Sequence, residues 1–278
     1  MLPSDNHIHT EWSWDALSGS MEATCRQALS IGLRSLAFTE HTDFTTWTIP
    51  AAAIATMPGA FQAMVGADGL FRAAPFDVEG YLECVDRCRS RFPGLHIITG
   101  VELGEPHWYA EEVRQLLAAA DFGRVIGSLH SLEAAGKRLA VDRLFGLRPA
   151  AGIVRDYITD VTLMVETSDD FEILGHIDYP LRNWPADAGP CRAELFEEEF
   201  RTALLALARS GRVLEVNTSR LPYRAIVQWW YECGGAALSF GSDAHEPGEV
   251  ARDFQRAAAM AESVGFRPGR HNHDFWLR

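Results

Sequence analysis

Apolar runs of strand length alternate along the whole chain with longer stretches whose apolar residues recur at helical spacing. The pattern predicts strands at 5–9, 35–39, 96–101, 124–129, 172–176, 213–217 and 236–240. Between and after them it predicts helices at 21–31, 76–91, 107–120, 153–167, 194–210, 224–233 and 247–263. Gly32, Gly211 and Gly265 fall just past helical stretches, where a left-handed cap is wanted. Strands and helices taking turns imply a parallel sheet with helices packed on it, either open and doubly wound or closed into a barrel. Two stretches interrupt the alternation. Residues 43–75 are rich in Ala, Gly, Thr and Pro, and residues 133–149 separate a strand from the next helix. Both are candidate lids or walls.

A chain of 278 residues without internal repeats or low-complexity tracts reads as one domain, 1–278, carrying these two insertions. Composition narrows the partners. A net charge of −13 and a pI near 5.2 argue against duplex nucleic acid or an anionic membrane. No apolar stretch approaches the ~20 residues of a membrane span. No basic region followed by an apolar stretch opens the sequence, so no secretory signal is read there. Five cysteines form no C-x-x-C pair, and Cys84 and Cys88 are spaced to share one helix face. Reduced thiols in a cytoplasmic protein are the expectation.

The polar residues at the ends of the apolar runs carry the chemistry. Nine side chains of metal-ligand type stand there: His7, His9, Asp15, His41, Glu102, His130, His176, Asp243 and His245. One histidine at a strand end is usually a hydrogen-bonded structural residue. Six together with three carboxylates suit a site for two or three divalent cations, since imidazole suits zinc, iron or manganese and a carboxylate can bridge. His7 and His9 are two apart on a predicted strand, so they point to one side while Ile8 points away. In an open sheet these strand ends would be strung along a line. In a barrel they converge on the C-terminal mouth, which favours the barrel. His96, His107, His271 and His273 lack this context and read as surface or packing residues.

The motifs Asp5-Asn6-His7-Ile8-His9-Thr10, Thr39-Glu40-His41, Gly100-Val101-Glu102-Leu103-Gly104 and Gly127-Ser128-Leu129-His130 come first in the chain. Leu174-Gly175-His176-Ile177-Asp178, Leu214-Glu215-Val216-Asn217-Thr218 and Gly241-Ser242-Asp243-Ala244-His245 follow. Together they resemble the PHP (polymerase and histidinol phosphatase) superfamily, and in order and spacing its histidinol-phosphatase branch, over about residues 5–260. The resemblance implies a distorted seven-stranded (β/α)7 TIM-like barrel with the active site at the C-terminal ends of its strands. It implies three divalent transition metals, Zn, Fe or Mn. The first would take His7, His9, Glu102 and Asp243. The second would take Glu102 as a bridge, with His130 and His176. The third would take Asp15, His41 and His245. Ser131 departs from the branch, in which many members carry an aromatic after this histidine.

The implied reaction is hydrolysis of a small phosphorylated metabolite, L-histidinol phosphate first among them, to L-histidinol and phosphate. Bound cations would lower the pKa of water to about 7 and neutralise phosphoryl oxygens. The catalytic residues would be Glu102, Asp243 and His245, and the leaving oxygen would take its proton from a metal-bound water or from an acid such as His245 or Asp243. Arginine is wanted by a dianion, and Arg155, Arg182 and Arg220 are the candidates, with Arg224 behind them. Glu11, Trp14, Glu40 and Asp43 are expected near the cationic end of such a substrate, and Trp12, Trp14 and Trp47 lie in loops after metal motifs. Two other readings are a phosphoesterase for nucleotides or short oligonucleotides and a non-catalytic metal-binding regulatory module. The acidic charge weighs against the first, and the complete ligand set against the second.

Overall fold

The computed structural model describes residues 2–134, 136–221 and 223–278. Its main sheet has seven strands: Ser35–Asp43 (β1), His96–Gly104 (β2), Arg124–Ser128 (β3), Ile173–Leu174 (β4), Val213–Asn217 (β5), Ala237–Gly241 (β6) and Trp276–Leu277 (β7). Neighbours in the sheet follow chain order. The first six strands run parallel, and β7 pairs antiparallel with β6. Parallel strands covered on both faces have no reason to alternate polar with apolar. The strand β1 is accordingly buried over its first eight residues.

The sheet curls but is not a fully closed barrel, and the first predicted strand is where the expectation fails. Residues 5–9 do not form a regular strand. They make two isolated bridges, Asp5 with Leu36 and Ile8 with Ala244. Backbone bonds stitch the segment to β1 on one side and to β6 and the turn after it on the other: Ala37 N–Asp5 O is 2.7 Å, and Asn6 N–Phe240 O, His9 N–Ala244 O and Asp243 N–His7 O are each 2.8 Å. The physical reason lies in Asp5, whose buried carboxylate accepts from the backbone N–H groups of Ser242 (2.9 Å) and Ala251 (2.9 Å). Side-chain bonds of this kind compete with a regular ladder. The seventh strand of the sheet is β7, a pair of residues for which the sequence gives no strand signal.

Helices Met21–Ser30 (α1), Val78–Arg91 (α2), Ala110–Ala119 (α3), Ala150–Thr167 (α4), Glu197–Ser210 (α5), Arg224–Glu232 (α6) and Phe254–Val264 (α7) cover the sheet. Ser20 and Asp77 cap α1 and α2 by accepting from Ala23 N and Gly80 N. The last helix starts at Phe254, well after the predicted 247, because Ala251 and Asp253 take positive φ and the turn before it binds Asp5. Apolar faces of α4, α5, α6 and α7 form the larger core with Phe200, Trp230 and Phe240, and α1 and α2 form a smaller one around Phe38 and Tyr81.

The 43–75 stretch holds a hairpin, Thr46–Thr48 with Leu70–Arg72, and two single-turn helices, Ala51–Ile54 and Gly59–Gln62. The 133–149 stretch holds most of the hairpin Ser131–Ala134 with Lys137–Ala140, and the turn Val141–Leu144. Among the described residues no helix is long and apolar enough to cross a membrane, and all five cysteines are free.

Candidate metal centre

The C-terminal ends of the parallel strands carry most of the predicted ligands to one place. His41 lies near the end of β1 and Glu102 near the end of β2. His130 and His176 each follow their strand by two residues, and Asp243 follows β6 by two. His7 and His9 arrive on the stitched 5–9 segment. Asp15 comes from the turn beyond it, and His245 from the turn after Asp243. Asp243 sits at φ 56°, a left-handed backbone that a non-glycine residue adopts at a cost.

The pair distances sort these nine side chains into three groups. Nε2 of His7 and of His9 lie 3.2 and 3.4 Å from Glu102 Oε2, and 3.7 and 3.4 Å from Asp243 Oδ1. Nε2 of His130 and of His176 lie 3.3 and 2.9 Å from the other oxygen, Glu102 Oε1, and 3.3 Å from each other. Nε2 of His41 and of His245 lie 3.4 and 3.2 Å from Asp15 Oδ2. Glu102 thus faces two groups with its two oxygens. The groups also touch: His41 with Glu102 and His130, and His9 with His41 and His245, hold donor atoms within 4.8 Å of one another.

The donors fit transition-metal ions. Four ligands at the zinc–nitrogen distance, arranged tetrahedrally, stand about 3.3 Å apart. Most of the observed separations lie close to that. Five buried donor atoms of these side chains have no hydrogen-bond partner: His7 Nε2, His9 Nε2, Glu102 Oε2, Asp15 Oδ1 and His41 Nδ1. Buried polar atoms are rarely left unpaired, and here the orphans converge.

The outer nitrogens explain which way the rings point. His7 Nδ1 lies 2.6 Å from Glu215 Oε1, and His9 Nδ1 lies 3.1 Å from Ser13 Oγ, which itself donates to Glu40. His245 Nδ1 lies 2.9 Å from the Asp243 carbonyl. An acceptor at Nδ1 keeps the proton there and leaves Nε2 as a lone pair facing the cluster. Burial alone would raise the carboxyl of Glu102, but His7, His41 and His130 outweigh it and hold the group well below the usual range. Burial opposes charge on His245 as well, yet Asp15 and Asp243 push it up to about 9. His9, buried beside His41 and His245, is lowered to about 3.

Several residues that matter here had no role assigned from sequence, or a different one. Glu215 holds His7 and accepts from His176 N at 2.7 Å. Gly241 makes room for it, since a Cβ there would overlap Glu215 Oε1 and His7 Cβ. Glu105 accepts from the backbone N–H groups of His130 (2.7 Å) and Ser131 (2.8 Å) and so sets the loop after β3. Glu40, expected near the substrate, is fully buried and accepts from Thr10 and Ser13, and burial pushes it up to about 7. Glu11 accepts from Met21 N at the start of α1. The available signal was a carboxylate inside or at the end of an apolar strand, which is costly unless paired.

Above the ligands lies a cavity of about 820 Å³, walled by both interrupting stretches and by Trp14, Tyr179 and Arg182. Arg182 bonds Asp243 Oδ2 at 3.1 Å, while its Nε and Nη2 are buried without a partner. The other arginines are placed differently. Arg220 donates to the carbonyl oxygens of Leu181 and Arg182, and Arg155 pairs with Glu199 at 2.7 Å; neither lines the cavity. Arg143 and Arg252 do line it. An aromatic lies against Ser131 after all: Trp47, from 43–75, donates its indole N–H to Ser131 Oγ at 2.7 Å.

The fold and site define an α/β protein with a cluster of metal-type donors at the ends of its parallel strands. Residues 5–219 match the PHP domain family, and the chain belongs to it. Among curated relatives it is 27% identical over 279 residues to a probable histidinol-phosphatase of Deinococcus radiodurans, covering 97% of this chain and 96% of that one. It is 23% identical over 272 residues to a probable histidinol-phosphatase of Clostridium acetobutylicum, covering 95% and 94%. Its fold matches the crystal structure of histidinol phosphate phosphatase from Lactococcus lactis complexed with zinc, L-histidinol and phosphate. That match has a TM-score of 0.78 at 21% identity and covers 95% of this chain and 94% of the other.

Proposed function

We propose that this protein is a metal-dependent phosphomonoesterase that hydrolyses L-histidinol phosphate to L-histidinol and phosphate. The observation that carries the reading is the meeting, at one mouth, of unpartnered donor atoms from His7, His9, Asp15, His41 and Glu102 with the free N–H groups of Arg182. The substrate itself is taken from the full-length relatives.

The donors fit three ions: His7, His9, Glu102 and Asp243 for one, Glu102, His130 and His176 for another, and Asp15, His41 and His245 for the third. Zinc, iron or manganese in these places would activate water near neutral pH and neutralise the phosphoryl oxygens. Arg182 binds the phosphate through its two free N–H groups and is held in aim by Asp243 and by Arg220 beneath its backbone. The leaving oxygen takes its proton from a water in the cavity: against the effect of burial, His7 and Arg182 hold Asp243 ionised, and His245, with its lone pair toward the cluster, keeps only the Nδ1 proton that faces the Asp243 carbonyl. The chain acts as one unit, with 43–75 and 133–149 forming walls of the mouth.

The test is phosphate release from histidinol phosphate, a set of mononucleotides and sugar phosphates under matched metal conditions. Histidinol phosphate is expected to give the highest kcat/KM. A clear preference for a nucleotide would overturn the substrate, and release from none of them would overturn the phosphatase.

A further inference from the structure

Asp43 ends β1 and opens the 43–75 stretch. Expected from sequence at the substrate's cationic end, its side chain is instead 1% exposed and engaged on both oxygens. Oδ2 accepts from the indole N–H of Trp14 at 2.8 Å, and Oδ1 lies 3.3 Å from His130 Nδ1. Its place is built into the sheet: Asp43 is paired with Gly104 of β2, where a Cβ would overlap Oδ1. Trp14 in turn packs against Trp47, Phe61 and Phe71 at ring distances of 5.9, 5.7 and 5.4 Å, all three from the 43–75 stretch.

We propose that Asp43 is a positioning residue: it fixes the tautomer and ring orientation of His130, and Trp14 fixes Asp43. A neutral imidazole carries one N–H. A carboxylate at Nδ1 keeps the proton on that side, so the Nε2 lone pair faces Glu102 Oε1 and His176 Nε2, each 3.3 Å away. The His130 backbone is held separately by Glu105, so Asp43 is the group that addresses the ring. Through Trp14 the aromatic wall and this ligand share one anchor, and a shift of the wall reaches the metal-binding nitrogen through two hydrogen bonds. The inference rests on reading the site as a metal centre.

The test is cobalt(II) titration of metal-stripped wild type, Asp43→Asn and Trp14→Phe, with chelator competition for affinity and visible absorption for ligand geometry. Outer partners of ligating histidines typically account for ten- to a hundredfold in metal affinity. Asp43→Asn keeps the shape but not the charge, and the affinity of at least one cobalt is expected to fall about tenfold or more, with altered absorption bands. Trp14→Phe keeps a ring in place and removes the donor, so a smaller loss in the same direction is expected. Wild-type affinities and spectra in both variants would overturn the proposal, even if melting temperatures fell. If Asp43→Asn does not fold, Trp14→Phe decides by the same readout. No cobalt uptake by the wild type would sink the metal centre itself, whereas equal uptake by all three proteins sinks the role of Asp43 alone.

Discussion

Arg182→Ala gives the sharpest perturbation of substrate binding. The guanidinium is buried at the mouth, bonds Asp243 Oδ2 at 3.1 Å and leaves Nε and Nη2 without partners. If both free N–H groups reach the phosphate, two charge-assisted hydrogen bonds disappear. At about 1.5 kcal/mol each, the low end for such bonds, the loss is about 3 kcal/mol, or on the order of a hundredfold in kcat/KM. Arg182→Lys keeps a charge but not the fork, and an intermediate loss is expected. The assay is steady-state phosphate release with metal content measured on the same samples, because the bond to Asp243 also touches the ligand set. Arg155→Ala serves as the control: its exposed pair with Glu199 lies off the cavity, and kcat/KM should stay at the wild-type value. Arg182→Ala with full metal and kcat/KM within twofold of wild type would refute the clamp.

Other expectations follow from the same geometry. Glu102→Gln keeps the size of the bridge and removes its charge, so elemental analysis should show metal loss and turnover should nearly vanish while circular dichroism stays native. Gly241→Ala forces a methyl against Glu215 and His7, and thermal or urea denaturation should show roughly 1–3 kcal/mol of lost stability. Tyr81→Phe removes a hydroxyl that donates to Phe38 O at 2.8 Å and accepts from Gly100 N at 2.9 Å; about 1–3 kcal/mol of stability should go while kcat/KM is retained. Chelation should lower the melting temperature as well as abolish activity, because ions that bind only the folded chain stabilise it.

Most of the architecture was legible because strands buried on both faces read as plain apolar runs. The runs at 35–39, 96–101, 124–129, 172–176, 213–217 and 236–240 all became parallel strands of the sheet, though only residues 173–174 of the fifth are strand. Residues 5–9 look the same in sequence, yet Asp5 spends its carboxylate on the backbone of Ser242 and Ala251, a contact between chain ends that no local pattern reveals. The nine donor residues stood out because histidines and acids end apolar runs. Their grouping depends on the curl of the sheet, which periodicity does not encode. Glu215 and Glu105 were readable as acids among apolar neighbours, but what they hold is set by tertiary contact. The arginines show the limit most clearly. Arg155, Arg182 and Arg220 look alike by position after strand ends or insertions, and Arg182 alone of the three lines the cavity.

The central claim is that nine side chains from strand ends and the segments beside them form one metal centre. Anomalous scattering from crystals of active, gently purified protein tests it most directly. Three transition-metal peaks are expected, one beside His7, His9, Glu102 and Asp243, one beside Glu102, His130 and His176, and one beside Asp15, His41 and His245. A fully active protein with a single peak, or with none at this mouth, would contradict the account.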